Sequence, residues 1–224
     1  MKIDDRMKAY EEATRFKLGI RQPVIIRLDG VAFHTLTKEA QCLKPYDADF
    51  AKAMTDTANY LIQNTPARMA YTQSDEISLL FIDYNKFDSQ QWYGGVIQKM
   101  ASVAASMAST QFNDECCYYA GGGVGHFDAR VFPVPERDIE NYFIWRQKDC
   151  MRNAISGAAQ AKFPHKELQN KSTKDMLEMI GNDINNYPVS FRQGTVVDRV
   201  GQMAAPIFTA NKEFLARYLK IEEE

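Results

Sequence analysis

The sequence predicts an α+β fold: one antiparallel sheet built in the order β-α-β-β-α-β, with its helices on a single face, in a ferredoxin-like arrangement. Three observations predict it. PVIIRLDG (23–30) reads as a buried strand closed by a turn. RMAYT (68–72) and ISLLFID (77–83) read as a hairpin around the polar tetrad Gln73-Ser74-Asp75-Glu76. Two helix-period segments, 47–64 and 92–113, alternate with these strands ahead of a last core strand, HFDARVFPV (126–134).

Each element has its own warrant. In the first strand Val24, Ile26 and Leu28 point one way while Ile25, Arg27 and Asp29 point the other. In 47–64 the apolar stripe is Phe50, Met54, Thr57, Ala58, Leu61 and Ile62; Asp47 is the natural N-cap and Pro66 ends the element. The segment 92–113 is rich in alanine, and small side chains allow close approach to whatever it packs on. With both helices on one face, the other face is expected to stay open, which suits a site offered to a large substrate. A helical region (138–163), a lysine-rich loop, a short helix (173–180), a strand pair around 189–200 and a C-terminal helix (211–220) follow. The reading is a catalytic core over 1–136 and an extension over 137–224 packed on it, not an independent domain.

Composition narrows the function classes. The 224 residues are 45% hydrophobic and 25% charged, as expected for a globular protein of this size. A formal net charge of -2 excludes a uniformly basic nucleic-acid-binding surface. A local basic run remains, from Arg137 through Arg146, Lys148, Arg152, Lys162, Lys166 and Lys171 to Lys174, although composition alone favours a solvated helical face. Cys42, Cys116, Cys117 and Cys150 form no CxxC pair, so they read as reduced structural thiols. No apolar run reaches bilayer length, and MKIDDRMKAYEEATRF lacks the core of a secretory signal, so a cytoplasmic location is expected.

Chemistry is expected around two acids. Asp29 ends a hydrophobic strand and precedes Gly30; alone this is an ordinary Asp-Gly turn. Asp75, in the hairpin tetrad, changes that, because strands of such a unit bring the two carboxylates together. A hard cation such as Mg²⁺ relieves their repulsion, with phosphate oxygens completing its shell. Two ions about 4 Å apart would activate an attacking hydroxyl and stabilise the leaving oxygen. Glu76 alternates away from Asp75 and is expected to support the site or touch substrate. The amides of Val31, Ala32, Phe33 and His34 form a candidate triphosphate cradle, with the His34 side chain and Lys44 adding charge. The alternative makes Phe33 core and His34 an ordinary surface residue. Gly121-Gly122-Gly123-Val124-Gly125 lacks the Lys-Ser/Thr of a phosphate loop and reads as a connection. His34, His126 and His165 have no zinc-ligand spacing.

RLDGVAFHTLTK (27–38), KPYD (44–47), YTQSDEISLLF (71–81), HFDARVFPVP (126–135), WRQKDC (145–150) and FRQGTVV (191–197) together resemble the signature blocks of the tRNA-His guanylyltransferase superfamily. The resemblance implies a polymerase-type palm that extends RNA in the 3′-to-5′ direction. It implies two Mg²⁺ ions held by Asp29, the Gly30 carbonyl and Asp75, with Glu76 an essential neighbour. It associates His34, Lys44, nearby Asp47, Ser74 and Lys174 with substrate or triphosphate. Its implied partners are tRNA, ATP, GTP and other NTPs, and its implied assembly is a homotetramer. One block departs: after WRQKDC the chain reads Met151-Arg152-Asn153-Ala154 in place of the His-Ile-Asn-Asn of the eukaryotic enzymes. That points to the Thg1-like branch, whose members repair tRNA 5′ ends by templated addition after activation with ATP or GTP. Addition of a single guanylate to tRNA-His is the first alternative; a nucleotide cyclase and a non-catalytic RNA-binding relative are the others.

Overall fold

A computed structural model describes residues 1–84, 88–115, 123–201 and 203–219 of the chain. In chain order the elements are α1 (Ile3–Glu12), β1 (Val24–Gly30), α2 (Phe33–Glu39), α3 (Ala48–Asn64), β2 (Met69–Gln73), β3 (Glu76–Phe81) and α4 (Ile97–Glu115). Then come β4 (Phe127–Pro133), α5 (Glu136–Gln160), α6 (His165–Leu168), α7 (Thr173–Ile180), α8 (Val189–Gln193), β5 (Thr195–Asp198), β6 (Met203–Ala204) and α9 (Lys212–Leu219). The six strands form one sheet in the order β4-β1-β3-β2-β5-β6, antiparallel throughout. The expected β-α-β-β-α-β order is present in β1, α3, β2, β3, α4 and β4.

The core lies on both sides of this sheet. On one side Val24, Ile26 and Leu28 meet Met54, Leu61 and Ile62 of α3 and Met100, Ala104, Ala108 and Phe112 of α4. Ala104 and Ala108, one turn apart and fully buried, let α4 sit close, as its alanine content suggests. The Asp47 carboxylate accepts a hydrogen bond from the Phe50 amide and so caps α3 where the sequence places the cap.

The other side is not open. Ile25, Met69, Tyr71 and Leu80 pack against Ile139, Tyr142 and Phe143 of α5 and Phe208, Leu215 and Tyr218 of the C-terminal segment. Alternation in β1 puts a polar pair, Arg27 and Asp29, on this face, but that pair occupies only the end nearest the hairpin tip. The remainder is apolar, and the extension covers it because bare Ile, Met and Leu would otherwise meet water.

Two helix boundaries also differ from the sequence reading. Residues Trp92–Gly95 form a tight turn before α4, with Tyr93 and Gly94 at positive φ and Trp92 stacked on Phe81. Residues 189–193 are a short helix, not a strand. Gly194 ends it at φ 71°, where any Cβ would lie 2.5 Å from the Tyr71 ring. Only β5, after that turn, joins the sheet, beside β2.

Candidate active site

The register of the sheet brings acids together at one end. Asp29 stands directly opposite Glu76 on β3 and directly opposite Asp128 on β4, so three acidic positions cross three neighbouring strands on one face. Like charges directly opposite one another destabilise a sheet, so such a row calls for compensation. Asp75 lies in the two-residue turn between β2 and β3, and the Gly30 amide donates to its carbonyl at 3.0 Å. That bond ties the end of β1 to the hairpin tip. Burial pushes the Asp75 carboxyl above its ordinary range, and the Asp29 charge adds to the push. Its own backbone amide, the Ser74 hydroxyl and His34 oppose it. Asp29, Ser74 and His34 thus all act on the Asp75 carboxyl. Among the described residues no group of three or more His, Cys, Asp or Glu side chains converges on a metal-sized site.

Glu76 has a different environment. It is buried, and its Oε2 accepts from Arg146 Nη1 at 2.7 Å across the sheet-helix interface. Arg27 stands 4.0 Å away and acts through charge, while Ser78 Oγ, 3.5 Å from Oε1, shares a 2.7 Å hydrogen bond with the Tyr142 hydroxyl. Burial raises the Glu76 carboxyl, with Arg146 foremost in holding it down. Arg146 in turn lies 3.5 Å from Asp149 and covers the Trp145 ring with its guanidinium 3.6 Å from the ring centre. Sequence reasoning places Arg146 in a basic run and Arg27 on the face of Asp29 without giving either a role at the site, and it passes over Tyr142 and Asp128. The WRQKDC and FDAR blocks held the signal for Arg146 and Asp128, but only the register shows what they face.

Gly30 earns its place by contact: a Cβ there would lie 2.5 Å from the Phe33 ring. Phe33 is core, as the simpler reading had it, packed against Phe112 and Phe127 at 5.0 Å and Phe50 at 6.1 Å. Ala32 adopts a left-handed conformation, φ 55°, and opens α2. The expected cradle is shorter by one amide, because Val31 donates to the His126 carbonyl at 2.8 Å and cannot also hold phosphate. The amides of Ala32, Phe33 and His34 remain at the helix start, where no intrahelical acceptor reaches them.

Beside the acids lies a cavity of about 640 Å³. Lys44 and Asp47 line it from the α2–α3 loop, Thr72, Gln73 and Ser74 from the hairpin, Cys150, Asn153 and Gly157 from α5, and Phe191 from α8. Its volume lies in the range of pockets that hold small organic ligands, roughly 300–1,000 Å³. Ser74 lines it and is the chain neighbour of Asp75, whose carboxyl its hydroxyl helps to hold down, so cavity and acids adjoin. Gln73 is 5% exposed, and its Oε1 has no hydrogen-bond partner among the described residues. Asp47 has a structural duty besides: its second oxygen accepts from the Leu43 amide at 2.8 Å, fixing the loop that carries Lys44. Lys174 is not brought here; it lies exposed on α7, 4.0 Å from Glu178. Burial pushes the Cys150 thiol up to about 12 and raises Cys42, so neither is a nucleophile at neutral pH. Cys116, Cys117, Gly121 and Gly122 lie outside the described residues.

Acids at the end of a palm-type antiparallel sheet, beside a nucleotide-sized cavity, define a nucleotidyltransferase-type architecture. The tRNAHis guanylyltransferase family matches residues 4–135, and the chain belongs to it. It is 30% identical to an uncharacterised protein of Acanthamoeba polyphaga mimivirus over 88% of this chain and 77% of that protein. It is 28% identical to a probable tRNA(His) guanylyltransferase of Bos taurus over 78% of this chain and 63% of that protein, and 29% identical to the Debaryomyces hansenii tRNA(His) guanylyltransferase over 79% and 73%. A bacterial tRNA(His) guanylyltransferase (Thg1)-like protein in complex with ATP superposes with a TM-score of 0.91 at 42% identity, covering 97% of this chain and 99% of that one. One in complex with GTP gives 0.85 at 38%, covering 97% and 98%. The Saccharomyces cerevisiae enzyme, at 20% identity and a TM-score of 0.73 over 88% and 95%, shares the fold. Among the described residues no helix is long and apolar enough to cross a membrane.

Proposed function

We propose that this chain transfers nucleotides to the 5′ end of tRNA, seating ATP or GTP in the cavity with its phosphates directed across Ser74 toward Asp29 and Asp75. The observation that carries the reading is the adjacency of cavity and acids through Ser74. The likeness to the Bos taurus and Debaryomyces hansenii tRNA(His) guanylyltransferases supports guanylate addition to tRNA-His before any other product. Template-directed 5′-end repair is the second reading. It rests on Met151-Arg152-Asn153-Ala154 standing where the eukaryotic enzymes carry His-Ile-Asn-Asn, and on Asn153 lining the cavity.

The family implies Mg²⁺, and the donor set fits a Mg²⁺-nucleotide complex better than an all-protein cage. Two carboxylates suffice where phosphates complete the shell; burial is what chiefly raises the Asp75 carboxyl, the Asp29 charge adds to it, and a cation would offset both. Asp29, Asp75 and the Gly30 carbonyl would hold Mg²⁺, which when bound would supply charge stabilisation for in-line phosphoryl displacement. The protein's own part is positioning. Lys44 and the amides of Ala32 to His34 hold the triphosphate, Gln73 Oε1 accepts from an amino group of the base, and Arg146 keeps Glu76 in register with Asp29. In the first transfer an oxygen of the RNA 5′-phosphate attacks the α-phosphate of ATP and pyrophosphate leaves. In the second the 3′-hydroxyl of an incoming NTP attacks the activated 5′-phosphate, losing its proton, and AMP leaves.

Incubation with tRNA-His and with 5′-truncated tRNAs, each carrying a 5′-monophosphate, tests this. Sequencing of the 5′ ends, with each base in turn opposite the vacancy, separates the products. Guanylate added whatever lies opposite, and only with the tRNA-His anticodon, establishes the first reading; a complementary base on any tRNA establishes repair. No 5′ extension on any of them defeats both.

A further inference from the structure

Trp145 is 52% exposed, although it lies on a helix whose neighbouring positions, Tyr142, Phe143, Arg146 and Gln147, are buried. One face of its indole is covered by the Arg146 guanidinium at 3.6 Å, and its edge meets Tyr142 with ring centres 6.0 Å apart. The exposed positions of α5 continue from Asn141 and Trp145 to Lys148 and Arg152, spacings of four, three and four that trace one helical stripe. Lys148 has no carboxylate partner among the described residues, and Arg152 is paired with Asp149. On the adjoining edge strand, Arg130 is exposed and lies on the same sheet face as Arg27, the face that α5 covers.

We propose that Trp145 is a stacking platform for a nucleobase at the 5′ end of the RNA, with Lys148 and Arg152 taking phosphates of the same strand. This rests on the reading of the chain as a 5′-end nucleotidyltransferase. An aromatic ring interleaved with cations is the arrangement that holds single-stranded or frayed nucleic acid, because every base has a face to stack and every linkage a charge to neutralise. Arg146 already supports one face of the indole, leaving the other for a base, and the same guanidinium binds Glu76 at 2.7 Å. One side chain therefore connects the platform to the acids, placing a stacked base beside the reacting end and not along a distant stem.

The chain has two tryptophans, Trp92 and Trp145, so Trp92→Phe leaves Trp145 as the sole indole reporter. The probe is an RNA hairpin with a 5′-monophosphate recessed by one nucleotide. We expect saturable quenching of Trp145 by this RNA and none by ATP alone. In the otherwise native chain, Trp145→Leu raises the apparent KM for the RNA about tenfold, more than it lowers kcat, and Trp145→Phe restores most of the loss. Absence of RNA-dependent quenching overturns the proposal. So does a fall in kcat with KM unchanged, which makes the ring a prop for Arg146. A fluorescence change that follows protein concentration without RNA assigns the surface to contact between copies and overturns it equally. Quenching by RNA without nucleotide transfer by the native chain defeats the function reading while leaving the platform in place; transfer without quenching defeats the platform alone.

Discussion

Asp75 and Glu76 are adjacent in sequence, and burial raises both carboxyls, yet the regions around them handle the charge in opposite ways. At the hairpin tip Asp75 faces the like charge of Asp29, eased by the Ser74 hydroxyl and His34. One position further in, Glu76 is held by Arg146 at 2.7 Å within a knot that includes Arg27, Ser78 and Tyr142. Burial and like charge that the chain itself offsets only in part cost stability, and such groups cluster where a ligand completes the compensation. A compensated charge needs no ligand. On the proposed function the tip binds, while the knot holds the strand ends still.

The sharpest way to break this contrast is at the tip. Asp29→Ala and Asp75→Ala should each reduce nucleotide transfer by about a thousandfold or more, the scale of losing metal-borne charge stabilisation. Neither should lower the unfolding midpoint, because each removes one of two repelling acids. Single-turnover assays on 5′-phosphorylated tRNA, beside circular-dichroism melts, provide the check. Retained activity in either variant would end the assignment of the tip as the reacting centre.

The knot should show the reverse balance. Arg146→Met leaves a buried carboxylate without its cation and should cost about 3–5 kcal/mol of stability, measured by urea unfolding. Adding Glu76→Gln should recover a good part of it, and the double-mutant cycle isolates the pair. Simple additivity of the two changes would show that the 2.7 Å bond contributes no coupling.

The smallest effect sharpens the comparison through pH. The Asp75 carboxyl is raised above its unfolded value near 3.8, so the folded chain holds that proton more tightly. The stability this contributes is fully present below 3.8 and is lost as pH climbs through the folded value. Asp75→Asn cannot titrate, so without Mg²⁺ or nucleotide it should gain on the native chain as pH rises from 4 toward 7. Melting temperatures across that range, in buffer with chelator, test the sign. A gain that grows toward acid pH would reverse it.

Much of this was legible in the chain. Strand alternation gave β1 its two faces, and Asp47 announced the start of α3 through its own side chain. Asp29 and Asp75 were nameable because turn and strand-end chemistry is local, whereas Ser74 was named only through the resemblance of its block. What escaped depends on distant partners. The second sheet face looked open because both helices of the β-α-β-β-α-β unit lie on the first, while its cover comes from α5 and the C-terminal segment, later in the chain. Arg146 lies 70 positions from Glu76, and no period within either segment predicts their meeting. Residues 189–193 looked strand-like until Tyr71, from the neighbouring strand, required the bare backbone of Gly194 beside its ring.

The aromatic cluster under the phosphate cradle has a thermodynamic consequence. Phe33 begins α2 within the loop that offers its amides, and its ring is locked among Phe50 of α3, Phe112 of α4 and Phe127 of β4. Ordering a loop around a ligand ordinarily subtracts from affinity, on the order of 1 kcal/mol or more for each residue whose backbone is fixed. Here the ordering is completed during folding and driven by packing of four phenylalanine rings, so on the proposed function a triphosphate would meet donors already in position. Loosening that cluster far from any phosphate, as by Phe112→Ala, would therefore surface as an entropic penalty in nucleotide binding, visible by calorimetry even where the amides themselves are untouched.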